Sequence, residues 1–310
     1  MQYVIGVDLG GTKTAAGVVA ADGTVLLRDQ APTPNRDGGE AVLDATAALA
    51  ASLRDRAAEQ GVSVDGVGVG SAGVIDAGAG TVISATDAIL GWAGTNIAAG
   101  LEARLGLPTA VVNDVHAHAL GEAWRGAAAG TASSLMVAFG TGVGGSFVVA
   151  GRALLGHHFA GGHVGHFASP YAYDDGQPRP CTCGRAGHVE AVASGPAIHA
   201  AYRRSGGAAA PADTRAVFAL AAGGDTVAQR VIERAAAAAG QAVGGLVNVL
   251  DPEIVVVSGG LADAGAPWWD PMATALRREL LAPLADTPVV RAGLGNAAAV
   301  VGAAGLLLHR

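Results

Sequence analysis

A strand, a glycine-rich turn and a second strand occur twice in this chain, about 130 residues apart. Residues 3–7 form a short β-branched run that enters Asp8-Leu9-Gly10-Gly11-Thr12-Lys13 and leaves as a second strand over 14–19. Residues 134–139 enter Gly140-Thr141-Gly142-Val143-Gly144-Gly145 and leave as a strand over 146–149. This recurrence points to duplicated architecture with a boundary near residues 115–130. Helical spacing predicts helices over 40–59, 93–105, 115–124, 194–205, 214–222, 226–250 (broken or bent near Gly244-Gly245) and 297–308. Strands are predicted over 66–69, 109–112 and 252–257. Strands and helices mix throughout, so the fold class is α/β.

The 310 residues suffice for two domains, and 51% apolar against 15% charged residues supports packed cores rather than disorder. Nineteen basic and 26 acidic residues give a net charge of −7 without a basic run. That excludes nucleic acid as the expected partner, since phosphate contacts need clustered cations. The opening residues MQYVIGVDLGG lack the positive region of a signal peptide, and the most apolar stretch, 297–308, is too short to span a membrane. The expectation is a cytoplasmic protein. Its two cysteines would be reduced there, which favours a metal site over a disulfide.

Glycines in the first turn let backbone N–H groups approach phosphate oxygens, with Asp8 placed to hold Mg2+ and Lys13 to offset phosphate charge. An ordinary hairpin also uses such glycines. No Gly-Lys-Ser/Thr follows at P-loop spacing. The second turn matches G-x-G-x-x-G at Gly140, Gly142 and Gly145, yet a strand rather than a helix follows, so it is not a dinucleotide fingerprint. Two such hairpins facing one another would grip a nucleotide's phosphates. Asn113-Asp114 ends an apolar strand; an Asp there is either a helix cap or a general base for a substrate hydroxyl. Cys181-Thr182-Cys183 and His188 offer three zinc ligands from one loop, with His166 as the natural fourth. Spacing alone does not fix which of His157, His158, His163, His166 and His188 bind.

Taken in order, VIGVDLGGTK (4–13), GVGVGSAGVID (66–76), VVNDVHAHALGE (111–122), FGTGVGGSFV (139–148), GGHVGH (161–166), CTCGRAGHVEAVASG (181–195), VVVSGGLA (255–262) and GAAGLLL (302–308) resemble the ROK family of sugar kinases and related repressors. The resemblance implies a two-domain actin-like ATPase (ribonuclease H-like) fold with ATP and a hexose in the interdomain cleft. The small domain would comprise residues 1–117 plus a C-terminal helix over about 294–310, and the large domain 118–293. It implies that Gly10, Gly11, Thr12, Lys13, Gly140, Thr141 and Gly142 take phosphate sites, and that Gly259-Gly260 lie near adenosine. Asp114 falls on the catalytic base, Asn113 on a sugar-binding residue, Gly73 in a sugar-lining segment and Glu190 on a sugar-hydroxyl acceptor. His166 falls on a residue that both ligates zinc and touches sugar. The family's members are often dimers, which implies a homodimer.

Two departures bear on function. The family usually has three cysteines and one histidine at the metal; His188 stands at the third cysteine position, which implies a Cys2His2 zinc site. Most glucokinases of the family have Glu where this chain has His163, whereas bacterial N-acetylmannosamine kinases resemble GGHVGH and EAVASG. The leading expectation is an ATP-dependent kinase of the N-acetylmannosamine 6-hydroxyl. A glucokinase or broad hexose kinase is the alternative. A sugar-responsive regulator fits less well, because the first phosphate strand starts at residue 3 and leaves no room for an N-terminal helix-turn-helix.

Overall fold

The two strand–turn–strand segments open two five-stranded sheets in the computed structural model, which describes residues 2–207 and 209–309. Along the chain run β1 (Tyr3–Leu9), β2 (Lys13–Ala20), β3 (Val25–Pro32), α1 (Gly39–Glu59), β4 (Val67–Ser71), β5 (Val74–Asp76), β6 (Thr81–Ser84), α2 (Ile97–Leu105), β7 (Thr109–Asn113) and α3 (Asp114–Arg125). There follow β8 (Ser133–Phe139), β9 (Val143–Val149), β10 (Arg152–Ala153), β11 (Tyr173–Asp174), β12 (Gln177–Pro178), α4 (Glu190–Ala193), α5 (Gly195–Arg204) and α6 (Thr214–Ala222). The chain ends with α7 (Thr226–Leu250), β13 (Ile254–Ser258), α8 (Ala266–Glu279), β14 (Val289–Arg291) and α9 (Ala298–Leu308).

The first sheet has the order β3-β2-β1-β4-β7 and the second β10-β9-β8-β13-β14. Numbered within each sheet, both read third, second, first, fourth, fifth. The duplication seen in the turns therefore extends to whole-sheet topology. β1 is antiparallel to β2 and parallel to β4, which is parallel to β7; β13 is parallel to β8 and to β14. Every residue of β4 and of β13 is buried, as expected of parallel strands covered on both faces.

The chain divides into two compact units. Unit 1 comprises residues 1–132, 148–162 and 292–310, and unit 2 comprises 133–147 and 163–291. Unit 1 contains all of α3, which packs along α9. Residues 148–162 also belong to it, where His116 Nε2 on α3 pairs with the Gly161 carbonyl at 2.9 Å. In unit 1, Ile5, Val7, Val67 and Val69 pack against Leu43 and Leu53 of α1 and Leu101 of α2. The alternate residues Val4 and Val19 pack against Val300 and Ala304 of α9, as strand alternation requires. In unit 2, Leu135, Val137, Val255 and Val257 pack with Ile232, Val243 and Val247 of α7 and with Trp268 and Met272 of α8.

Helix α9 lies at backbone contact with its neighbours. A Cβ on Gly302 would stand 1.8 Å from the Ala117 carbonyl oxygen, and one on Gly68 1.8 Å from that of Ala303. Similar crowding explains one expectation that the structure corrects. α7 runs unbroken through Gly244-Gly245, and two of its glycines serve packing on α8: a Cβ on Gly240 would stand 2.0 Å from Met272 O and one on Gly244 2.8 Å from Leu276 O. α2 begins at Ile97, not at 93, because the Asn96 side chain accepts the Ala99 N–H and caps it. No helix is predicted from the sequence over 266–279, where α8 tolerates Pro267 in its first turn and carries Pro271 inside. Among the described residues no helix is long and apolar enough to cross a membrane.

Gly302→Ala is expected to cost about 1–3 kcal/mol or more of unfolding free energy by overpacking. Gly245→Ala lies in the same kind of helix interior, but its added methyl would meet nothing within 4 Å. That variant is expected to gain up to about 1 kcal/mol. Urea titration of both variants checks the contrast in sign.

Candidate active site

In unit 1 the ends of β1, β4 and β7 carry the candidate residues. The first glycine turn closes with the Gly10 N–H donating to Lys13 O at 3.1 Å. Thr33, just past β3, pins it: its hydroxyl donates to Gly10 O at 2.8 Å and its N–H to Thr12 O at 3.1 Å. Thr14 and Thr33 hydroxyls meet at 2.9 Å in a buried pair. Thr33 had no local signal in the sequence, since it lies 23 residues from the carbonyl it holds.

Asp8 is half-buried at the end of β1, opposite Ala15 of β2. Burial pushes its carboxyl up to about 6; the charge of Asp114 adds to this and Lys13 opposes it. Two like charges in a partly desolvated site suit a hard dication with oxygen ligands, so the donor set fits Mg2+. Asp114 is the first residue of α3, half-buried, with its carboxylate accepting the Val115 N–H at 2.9 Å. The cap itself is Asn113, whose Oδ1 accepts from Val115 N–H and His116 N–H at 2.9 and 3.3 Å. Asn113 Nδ2 donates to Gly73 O at 2.9 Å, which brings these two candidates together; Gly73 has φ +108°. Behind them the buried Trp92 indole donates to Ser71 Oγ and Ala72 O, both at 3.2 Å, a support not foreseen in the sequence.

In unit 2 the second glycine turn closes with Gly140 N–H donating to Gly142 O at 2.9 Å, and Gly140 O accepts the Gly195 N–H of α5 at 2.8 Å. The Gly259-Gly260 turn lies beside it: a Cβ on Gly259 would stand 2.3 Å from Phe139 O. Thr141 lies between the two closing glycines. Glu190, at the start of α4 and buried, accepts the Val143 N–H at 2.9 Å through Oε2 and the Thr182 hydroxyl through Oε1. One carboxylate thus ties the glycine turn to the cysteine loop.

His166, Cys181, Cys183 and His188 converge, with one ligand atom from each lying within 4.8 Å of all the others. Cys181 Sγ is 3.5 Å from His166 Nδ1, and Cys183 Sγ is 3.3 Å from His188 Nδ1. Zinc bond lengths of about 2.0–2.3 Å give tetrahedral edges of roughly 3.3–3.8 Å, so the donor set and spacing fit a Cys2His2 zinc. Burial holds the His166 imidazole below its ordinary range, in the neutral form that a ligand needs. Burial also pushes the Cys181 thiol up, so a cation is what would favour its thiolate. His163 is exposed, its ring 6.2 Å from that of His166. The turn Val164–His166 rests on β9, where a Cβ on Gly165 would stand 2.3 Å from Val143 O. His157 and His158 lie outside this group and pair with each other at 4.7 Å between rings.

The family profile of the ROK family matches residues 4–310. This chain belongs to the ROK family. A glucokinase from Streptomyces coelicolor is 33% identical, with 99% of this chain and 98% of that protein covered. An N-acetylmannosamine kinase from Shigella flexneri is 34% identical over 84% of each. The solved structure of a ROK family glucokinase from Streptomyces griseus, in complex with glucose and AMPPNP, superposes with a TM-score of 0.81 at 31% identity over 98% of both chains. The fold is that of the actin-like ATPases within this ROK group.

The raised Asp8 sets a pH dependence. Between the ordinary carboxylate value of 3.8 and about 6, the folded state binds more protons at Asp8 than the unfolded state. Stability without metal or nucleotide therefore falls as pH rises through that window. Asp8→Asn is expected to match the parent near pH 4 and to exceed it by on the order of 2 kcal/mol above pH 7. Urea unfolding of both proteins at the two pH values tests this; a pH-independent difference counts against it.

Proposed function

We propose that this ROK protein is an ATP-dependent sugar kinase that phosphorylates the 6-hydroxyl of N-acetylmannosamine. Family membership and kinase relatives support the class. The choice of sugar rests on His163. It is exposed at the entry to a turn seated on β9, in a Gly-Gly-His-Val-Gly-His segment resembling that of N-acetylmannosamine kinases. A neutral imidazole offers one donor and one acceptor, where the Glu of most family glucokinases offers acceptors alone. An acetamido sugar, with a carbonyl to accept and hydroxyls to donate, suits that change.

Asp114 is the general base. As the 6-hydroxyl oxygen bonds to the γ-phosphorus and the bond from that phosphorus to the β-phosphate oxygen breaks, the hydroxyl proton passes to the Asp114 carboxylate. Backbone N–H groups of the Gly10–Lys13 and Gly140–Gly142 turns receive phosphate oxygens, with the Lys13 ammonium offsetting charge, and Gly259-Gly260 receive adenosine. Asp8 would hold Mg2+, which would supply charge neutralisation at the phosphates. Gly73, Asn113, His166 and Glu190 position the sugar. His166, Cys181, Cys183 and His188 would hold zinc, which would supply a cross-link for the loop carrying His166.

A glucokinase is the second reading, favoured by the Streptomyces coelicolor relative, which matches 99% of this chain against 84% for the N-acetylmannosamine kinase. Coupled ADP release with N-acetylmannosamine, glucose, mannose and N-acetylglucosamine separates the two. We expect kcat/KM for N-acetylmannosamine to lead by at least about tenfold, equivalent to about 1.4 kcal/mol of transition-state binding. A lead for glucose selects the second reading. Asp114→Asn is expected to lower kcat by about 10²–10⁴-fold while sugar binding by calorimetry persists. Metal analysis is expected to find one zinc per chain, lost in Cys181→Ser; a zinc-free parent that phosphorylates sugar at full rate removes the metal from this scheme.

A further inference from the structure

The excursion from His166 to Cys181 carries the hairpin β11–β12, paired Tyr173↔Pro178 and Asp174↔Gln177. Its turn, Asp175-Gly176, has φ +48° and +77°, the left-handed pair that an Asp-Gly hairpin turn takes. Beside this hairpin, α5 and the first turns of α7 enclose a cavity of about 460 Å³. Its lining brings together Arg179, Arg204, Arg230 and Arg234 with Asp174 and Asp175, a net charge of +2 in a chain of net −7. The buried side chains of Val192 and Val231 contribute an apolar floor.

Two of the four guanidiniums are committed. Arg179 forms a two-bond pair with Asp174, 2.8 Å at each nitrogen. Arg234 donates to Tyr171 O and Tyr173 O at 2.9 Å each and stands 3.5 Å from Asp174. Among the described residues Arg204 and Arg230 make no hydrogen bond or ion pair; Arg230 only lends its field to Asp225. Arg204 ends α5, where the helix dipole favours a cation. That accounts for one arginine and not for the convergence of two uncommitted forks on one concavity. Burial, then the charge of Arg179, pushes the Arg204 guanidinium below its ordinary range, and the charge of Asp174 opposes this.

We infer that this cavity binds a phosphate group, free or carried by a small organic body, through Arg204 and Arg230 with Arg179 and Arg234 framing it. A guanidinium presents planar paired donors that match two phosphate oxygens at once. The volume lies within the range of small-molecule sites and leaves room beyond one phosphate, over an apolar floor. None of these residues has a part in the kinase chemistry proposed above. The site shares the loop that runs from His166 to Cys181, so a bound phosphate would add a brace to the hairpin beyond its hydrogen bonds to α7.

The test is isothermal calorimetry at constant ionic strength, with inorganic phosphate and glucose 6-phosphate as separate arms. The parent protein is expected to bind at least one of them with a sub-millimolar dissociation constant. Arg204→Ala and Arg230→Ala are each expected to weaken it about tenfold, and Arg204→Lys, which keeps the charge and loses the fork, to fall between. Tighter binding of glucose 6-phosphate assigns the floor to an organic body; tighter inorganic phosphate assigns the site to the free anion. Both arginines are exposed, and unchanged unfolding midpoints together with slowed amide exchange over residues 171–180 on phosphate addition confirm that the folded site responds. No binding by the parent, or equal affinity in the Arg204→Ala/Arg230→Ala double variant, overturns the inference. The second outcome would place the phosphate at the glycine turns instead.

Discussion

Unit 1 depends on the contact between α9 and the backbones beneath it. With glycine at 68 and 302, the helix descends until carbonyl oxygens fill the space of absent methyl groups, and β4 and α3 are fixed relative to the last helix of the chain. The consequence for the candidate site is direct. β1 and β4 are paired in parallel register, and α3 begins one residue after β7, so the placement of α9 sets the positions of Asp8 and Asp114 together. Glu122 locks the far end of α3. It is buried, and its carboxylate accepts N–H bonds from Ala127 at 2.8 Å, Gly293 at 2.9 Å and Leu294 at 2.8 Å. A buried carboxylate is tolerable only when its lone pairs are met, and here the bonds join the end of α3 to the segment that leads into α9.

Glu190 plays the corresponding part in unit 2. Its two oxygens reach Val143 N–H and the Thr182 hydroxyl, so the strand after the second glycine turn and the cysteine loop share one anchor. Gly165 rests on the same Val143. The second glycine turn, the cysteine loop and the His163–His166 turn therefore converge on one strand end. They are tied by hydrogen bonds to one buried carboxylate rather than by a flexible linker.

Strand ends, glycine turns and the Cys181–His188 part of the Cys/His cluster were legible because each is written within a few residues of chain. Asp8, Asn113-Asp114, Gly140–Gly142 and Cys181–Cys183 announce themselves within a few positions. What escaped is what depends on distant partners. Thr33 matters because it reaches Gly10, Trp92 because it reaches Ser71, and Glu122 because it reaches residues 293 and 294. α8 escaped because two prolines spoil its local pattern, although packing of Trp268, Met272 and Leu276 against α7 outweighs that penalty. The break expected near Gly244-Gly245 is absent from α7: Gly244 is a close-packing position against α8, and Gly245 is a helix residue with open space around it. The arginine cavity draws on the β11–β12 hairpin, α4, α5 and α7, up to 61 residues apart, so no local pattern could reveal it.

The loop from residue 166 to residue 181 shows why such a structure combines several weak restraints. Closing a segment of this length by one cross-link at its base costs chain entropy that grows only slowly with length, so the link orders the base far more than the tip. The Cys2His2 cluster sits at that base. The tip is held otherwise: a left-handed Asp-Gly turn sets the hairpin, the Arg179–Asp174 pair braces it, and Arg234 of α7 binds the carbonyls of Tyr171 and Tyr173. Exposed ion pairs of this kind contribute little singly, and at this tip they act as a network on one short hairpin. His166 at the base and the hairpin at the tip are thus held by separate sets of contacts, one within the Cys/His cluster and the other to α7.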